Sequence, residues 1–198
     1  LLFCGPYRRP DGLAAFLTKY GFDVEMLDND PVTGGGSEGD ILNDDVHNRL
    51  LQRASRGEFL TIIAAPPCST FSISRHFEGK GSTSSDGGPP LVRTRTHIRG
   101  LPSVPPKHRR ELSQANAIVA RLAAILMAAF TAGTQFIVEN PADRGDPTQP
   151  LLFQFTDHSP IWLDPDMVSL RSACTTESAT FAQCMFGADA QKYTTLWF

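Results

Sequence analysis

Apolar and polar residues follow one another along the chain in blocks whose spacing predicts alternating strands and helices. Apolar residues recur every three to four positions, as on one face of a helix, at 13–20, from Asp44 or Asp45 to about residue 56, at 111–132 and at 165–172. Continuous or alternating apolar runs predict strands at 1–4, 22–27, 59–65, 135–139, 180–184 and 194–198. The run FLTIIAA at 59–65 is typical of a central parallel strand that is buried on both faces.

The order of these segments predicts the fold class. Strands and helices alternate through most of the chain, which favours an α/β fold with a doubly wound, Rossmann-like sheet and helices on both faces. A length of 198 residues suits a single domain, and we predict one domain over 1–198. Because the sequence opens inside a predicted strand and without Met, we expect it to be a fragment.

Two chemically capable residues follow predicted strands directly. Doubly wound sheets bind ligands beyond the carboxyl ends of their strands, and Cys68 follows the strand at 59–65 after two prolines. If a helix begins after Cys68, the helix dipole favours the reactive thiolate, although a small buried hydrophobe is an equally good interpretation of the residue type. Glu139 ends an apolar run, where partial desolvation lets a carboxyl group hold or share a proton. An exposed strand-end carboxylate is its plain alternative.

The first two predicted strands also end in residues suited to a cofactor. Asp28 stands where nucleotide-binding folds place a carboxylate against ribose hydroxyls, or it serves only as a turn residue in the sequence DND. Gly5 and Gly12 bracket a turn that a ligand can approach closely, but they do not form a GxGxxG motif.

Composition restricts the function classes. Hydrophobic residues make up 41% and charged residues 20% of the chain, which excludes wholesale disorder. The apolar stretches are shorter than a membrane span requires, so we expect no membrane association. The four cysteines form no CxxC pair and the histidines lack ligand spacing, so we predict no disulfide framework, no metal and an intracellular, reducing setting. We interpret the histidines as surface or loop residues: His47, His76, His97, His108 and His158.

Charge is concentrated in one segment. Between residues 75 and 110 there are eight basic and two acidic residues, although the whole chain has a formal net charge of −3. This stretch belongs to a long basic loop predicted over 66–110, rich in Gly, Pro, Ser and Thr. Long loops in compact domains are functional or disordered, and a basic loop is either a phosphate-binding element or a solvated, mobile segment.

Four short motifs in order resemble those of the cytosine carbon-5 methyltransferases, which use S-adenosylmethionine. The sequence APPCSTFS at 65–72 is similar to the family's Pro-Cys nucleophile motif, and FIVEN at 136–140 is similar to its Glu-Asn motif. LFCG at 2–5 resembles the first cofactor motif, and EGDI at 38–41 resembles the motif whose Asp faces the adenine. The resemblance covers about residues 1–141, and a Pro-Pro-Cys sequence alone is much less specific than the ordered set.

The resemblance implies a mechanism and a set of roles. Methyl transfer to carbon 5 of cytosine in DNA would pass through a covalent adduct on Cys68, with Glu139 bonded to the base. Residues implied to bind the cofactor S-adenosylmethionine are Phe3, Gly5, Asp28, Asp40, Ile41 and Pro66. Residues implied to contact nucleic acid are Ser72, Arg75, Arg93, Arg95, Arg109 and Arg110. The compartment would be the nucleus in a eukaryote and the cytoplasm in a prokaryote or phage.

The chain also departs from the family pattern. Glu139-Asn140 is followed by Pro141, and no Gln-x-Arg-x-Arg motif follows; in the corresponding region Lys192 is the only basic residue. No separate target-recognition domain is visible, and the general look is that of divergent methylase-like domains of phages or mobile elements. Two alternatives therefore stay open: a catalytically silent module that binds nucleic acid or cofactor within a larger protein, and an RNA cytosine methyltransferase.

Overall fold

The computed structural model describes residues 1–7, 9–77, 89–189 and 191–198, and it has a mixed α/β architecture. The α-helices are α1 (Leu13–Lys19), α2 (Asp44–Ser55), α3 (Pro106–Thr131) and α4 (Pro165–Ala173). The strands are β1 (Thr61–Ala64), β2 (Gln135–Pro141), β3 (Ser178–Ala182) and β4 (Tyr193–Trp197). All four predicted helices are thus present, as are the last four predicted strands, with shifted ends.

The four strands form one mixed sheet in the order β1-β2-β4-β3. β1 and β2 are parallel neighbours, with Ala64 opposite Val138, whereas β4 runs antiparallel to both β2 and β3. The predicted strands at 1–4 and 22–27 are reduced to single parallel bridges from Leu2 to Leu27 and from Leu2 to Ala64. The parallel pairing expected for the FLTIIAA run is confirmed for residues 61–64. The expected central position, buried on both faces, is not found: β1 is the end strand of the four, only the bridge from Leu2 lies on its other side, and Thr61 is exposed.

One apolar core lies between the sheet and three helices. β1 and β2 bury Ala64 and Val138 against α2 and α3, and α3 also packs on α4. Trp162 stacks on Trp197 with ring centroids 4.5 Å apart, which extends this core to β4. Within the described part of the chain, α3 has the length and apolar composition that a membrane span needs; its contacts with α2, α4 and β2 account for the apolar face as protein core.

Two helix starts differ from the prediction. α3 begins at Pro106, five residues before the expected start. Pro is well tolerated at the first helical position because its missing N–H has no intrahelical partner there anyway. α2 is capped by Asn43, whose side chain accepts a hydrogen bond from the Asp45 N–H, rather than by Asp44 or Asp45.

The predicted long loop is partly ordered. Ile73–His76 forms a short 3₁₀ helix, and the last residues of the predicted loop belong to α3. Residues 78–88, which include the basic Lys80, lie outside the described residues.

Candidate functional site

The loop that carries Cys68 and the strand that carries Glu139 meet at the carboxyl edge of the sheet. β1 and β2 are adjacent and parallel, so the segments that follow them emerge side by side. The Asn140 side-chain amide donates a hydrogen bond of 2.8 Å to the carbonyl oxygen of Pro66, and this contact is buried. The two predicted catalytic residues therefore lie in segments that are tied directly to each other.

Cys68 is partly exposed, and its backbone closes a turn in which Phe71 N–H donates to the Cys68 carbonyl over 2.9 Å. No α-helix begins there, so the conditional expectation of a helix dipole at Cys68 is wrong for this loop. Cys4 also lies near the sheet edge, but burial, with a smaller contribution from the Asp28 carboxylate, raises the pKa of its thiol. The raised pKa disfavours the reactive thiolate at Cys4.

Three side chains hold the residues that follow Cys68. Arg75 Nε donates to the Ser69 carbonyl over 2.6 Å, and Arg93 Nη2 donates to Thr70 Oγ1 over 2.7 Å. His158 Nε2 bonds the Phe71 carbonyl over 3.0 Å. We call residues Ser69–Phe71 the anchored turn.

Arg93 is 2% exposed, and its guanidinium lies 3.7 Å from the centre of the Phe71 ring. Burial lowers the pKa of this guanidinium to about 10, and its other contact is a 2.7 Å bond to the Ile98 carbonyl. Arg75 is also buried and bonds Glu111 Oε1 over 2.6 Å. Arg75 bonds the protein through all three guanidinium nitrogens. Arg93 does so through both Nη atoms, while its Nε is buried without a partner. Binding phosphate would require breaking these contacts.

Glu111 completes the support beneath the anchored turn. Burial acts to raise the pKa of Glu111, but the Ser69 hydroxyl and the Arg75 guanidinium hold it below its ordinary value. The ionised Glu111 carboxylate is therefore stabilised by the buried Arg75 guanidinium to which it is bonded.

The remaining residues predicted to contact nucleic acid fall into two groups. Arg95 is bound to both carboxylate oxygens of Asp143, at 2.8 and 3.0 Å, and Ser72 caps the short helix by accepting from Ser74 N–H. Arg109 and Arg110 in the first turns of α3 are exposed. Of these four residues, only Arg109 and Arg110 expose a charged side chain to solvent.

His158 lies in a loop, as one of the two interpretations expected, but it is only 1% exposed, so the surface interpretation is wrong for this residue. Its Nδ1 accepts the Arg144 N–H over 3.0 Å, which leaves the proton on Nε2 to bond the Phe71 carbonyl. The ring thereby joins the anchored turn to the segment after β2. Its flanking residues Asp157 and Ser159 give no pattern from which this burial follows.

Glu139 is held by residues of β4 and its preceding turn. Its Oε1 accepts from Thr194 Oγ1 over 3.0 Å and lies 3.4 Å from Lys192 Nζ. Gln183 Nε2 in turn donates to Thr194 Oγ1 over 2.9 Å. From the sequence, Lys192 is evident only as a departure from the family pattern, and nothing in the local sequence of Thr194 or Gln183 signals a contact with β2.

Part of the predicted cofactor set is also assembled. Gly5 N–H donates to Asp28 Oδ2 over 2.9 Å, and the space where a Gly5 side chain would stand is open. Phe3 adopts a positive φ of 58° in the same turn. A cavity of about 220 Å³ adjoins this turn and is lined by Phe3 and Ala65 among others.

The other three residues implied to bind the cofactor make contacts elsewhere in the protein. Ile41 is 2% exposed in the core, and Asp40 Oδ1 accepts the Leu42 N–H ahead of α2. Pro66 is buried and used by Asn140. A larger cavity, of about 520 Å³, lies at the opposite edge of the sheet beside Leu60 and Thr61.

The described residues contain no group of three or more His, Cys, Asp or Glu side chains placed to hold a metal ion. No family model, no curated protein and no solved structure matches this chain.

Proposed function

We propose that this domain transfers a methyl group from S-adenosylmethionine to carbon 5 of cytosine in DNA, through a covalent adduct on Cys68. The observation that carries the proposal is the buried Asn140–Pro66 hydrogen bond. It joins a cysteine loop and a glutamate strand end at adjacent carboxyl ends of parallel strands, which is where α/β sheets bind their ligands.

The strand order supports a doubly wound interpretation of the sheet. Leu2 bridges Leu27 on one side and Ala64 of β1 on the other, so the chain first runs toward one edge and then returns toward the other. Such a reversal is a topological switch point, and ligands bind beside it. Phe3 and Gly5 follow Leu2 directly, so the predicted cofactor turn and the cysteine loop flank this point.

The chain connectivity supports an arrangement with helices on both faces of the sheet. Connections between parallel strands are right-handed, so a connection toward one edge and a connection toward the other edge run over opposite faces. By this rule α1 is expected on one face, and α2 and α3 on the other. Ile63 points away from the core residues Ile62 and Ala64, and it lines a cavity together with Leu13 and Ala14 of α1.

Cys68 would supply the nucleophile and Glu139 the charge stabilisation that this reaction needs. The Cys68 thiolate adds its electron pair to carbon 6 of the ring, and Glu139 bonds the ring nitrogen and exocyclic amine, where the charge develops. Carbon 5 then carries the electron pair and attacks the sulfonium methyl group, and the methyl–sulfur bond would break with its electron pair left on sulfur as a neutral thioether. Solvent water takes the carbon 5 proton, whose bonding pair restores the double bond between carbons 5 and 6 and expels the Cys68 thiolate.

The turn at Gly5 fits the cofactor that this reaction needs. A carboxylate with free lone pairs, Asp28, lies beside a backbone turn whose outer side is open at Gly5, as nucleotide-binding strand ends require. S-adenosylmethionine, when bound, supplies an electrophilic methyl group on sulfur. Phe3, Gly5 and Asp28 would hold it beside the switch point.

Nucleic-acid binding is supported most directly by Arg109 and Arg110, which are exposed and can neutralise backbone phosphates. Arg109 Nε donates to the Val104 carbonyl over 3.1 Å. The base would leave the duplex to reach Cys68. One observation favours the silent binding module instead: Arg75, Arg93 and Arg95 are engaged within the protein, which leaves fewer charges for DNA.

Covalent trapping tests the proposal. The protein is incubated with S-adenosylmethionine and a DNA duplex that contains 5-fluorocytosine, whose fluorine cannot leave as a proton does, so an active enzyme stays attached. We expect a mass adduct with wild type and with the exposed-cysteine control Cys184→Ser, and none with Cys68→Ser. An adduct only with 5-fluorocytidine RNA would favour the RNA enzyme. Binding of DNA or cofactor without any adduct would favour the silent module.

A further inference from the structure

We infer that Thr194 and Gln183 are positioning residues that orient Glu139, so that its Oε1 is held by the protein and its Oε2 faces the substrate. This inference rests on the proposed function, because it names the carboxylate oxygen that meets the base. Both residues lie outside every motif that carries the family resemblance.

The relay has one direction. The Gln183 amide donates to Thr194 Oγ1 over 2.9 Å, and an amide N–H has no acceptor capacity. The single hydroxyl proton of Thr194 is therefore free to point to Glu139 Oε1, 3.0 Å away. Because Oε1 accepts this proton, a proton carried by Glu139 belongs on Oε2.

A second donor reaches the same oxygen. Lys192 Nζ lies 3.4 Å from Oε1, and its side chain is 42% exposed, so solvent screens the pair. Among the described residues no hydrogen-bond donor reaches Oε2. The two contacts thus leave one oxygen of the carboxylate open for a base.

The relay is built on β4 and on the turn that precedes it. Thr194 is 1% exposed in β4 and stands opposite Pro141 of β2. Gln183 N–H donates to the Lys192 carbonyl over 2.8 Å, which fixes the turn residues on either side of the β3–β4 hairpin. Thr194 is thus held on a strand, which keeps side-chain geometry better than a loop does, and Gln183 directly follows β3 at the start of a short 3₁₀ helix.

The test uses Thr194→Val, which keeps the side-chain shape and removes the hydroxyl, and Thr194→Ser, which restores it. The matched control is Thr180→Val, because Thr180 lies in the same hairpin and bonds Thr195, not Glu139. Loss of a hydrogen bond to a charged group is expected to lower kcat roughly 10-fold or more, with KM for DNA changed less. Ser should recover most of the rate, and the control should stay near wild type.

A second measurement does not depend on turnover. In protein labelled with ¹³C at glutamate carboxyls, the Glu139 resonance, assigned with Glu139→Gln, should move in Thr194→Val and in Gln183→Leu and return in Thr194→Ser. An unmoved resonance, or an equal loss of rate in Thr194→Val and Thr180→Val, overturns the relay. If the resonance moves as expected while wild type shows no methylation, the orientation of Glu139 stands and the proposed reaction fails.

Discussion

Replacing His158 with Leu should loosen the anchored turn next to Cys68. The imidazole is buried and makes two hydrogen bonds, one from the Arg144 N–H and one to the Phe71 carbonyl. Leu fills a similar volume, so little cavity energy is expected. The variant therefore isolates the cost of leaving two backbone groups without a partner.

The magnitude follows from the burial of those two partners. The contact with the Phe71 carbonyl is buried and the contact with Arg144 N–H is partly buried. An unpaired buried group costs about 1–3 kcal/mol, so we assign ~2 kcal/mol to the first and ~1 kcal/mol to the second. The sum is about 3 kcal/mol, which for a chain of this size lowers Tm by roughly 6–12 °C.

Urea unfolding followed by the fluorescence of the two tryptophans measures this loss. The matched control is His97→Leu, because His97 is exposed and its replacement should change the free energy of unfolding by less than ~0.5 kcal/mol. Near-equal midpoints for the two variants would refute the reasoning. If it holds, fluorocytosine trapping should also slow in His158→Leu, since the turn after Cys68 has lost an anchor.

Three further variants probe the supports of the candidate site. Arg93→Met is expected to lower the free energy of unfolding in urea by about 2 kcal/mol, because the loss of two charge-assisted hydrogen bonds and a ring contact outweighs the relief of a buried charge. The control Arg109→Met, at an exposed position, should stay within ~0.5 kcal/mol of wild type. Equal effects of the two substitutions would contradict a structural role for Arg93. The lowered pKa of Glu111 adds stability that is present above about pH 4.3 and is lost as pH falls through the lowered value, so Glu111→Gln should flatten the acid side of a Tm-against-pH curve. A curve as steep as that of wild type would count against that assignment. Asn140→Leu leaves the Pro66 carbonyl unpaired, which should slow fluorocytosine trapping about 10-fold and lower the free energy of unfolding by ~1–2 kcal/mol. Unchanged trapping would show that the hydrogen bond between the cysteine loop and the glutamate strand is dispensable.

Helical periodicity predicted all four helices, and α2, α3 and α4 each bury one apolar face against a common core, whereas α1 has no buried residue. The start of α3 was missed for a physical reason: Lys107 and Arg109 are unfavourable near a helix N-terminus, so local sequence favoured a loop. The strand expected at 22–27 formed only one bridge, at Leu27. The alternating charges at Asp23 and Glu25 are compatible with an exposed edge strand. Nothing in the local sequence specifies how many residues of an edge strand pair with its neighbour.

The candidate site was predictable only where chemistry and strand ends coincide. Cys68 and Glu139 follow apolar runs, and the rule that parallel strands share a carboxyl edge is enough to bring their segments together. The arginines of the basic segment were different. A charge count does not distinguish Arg93, buried on Phe71, from the exposed Arg109, because burial depends on which distant residues surround the side chain.

The Asn140–Pro66 bond also has a consequence for how the chain folds. It joins residues 74 positions apart, so closing that loop costs chain entropy before any contact offsets it. α3 lies within this loop and forms from local contacts, which are fast. We therefore expect the cysteine loop and the glutamate strand to meet late in folding, so that a refolding chain regains its helical signal before the assembled site.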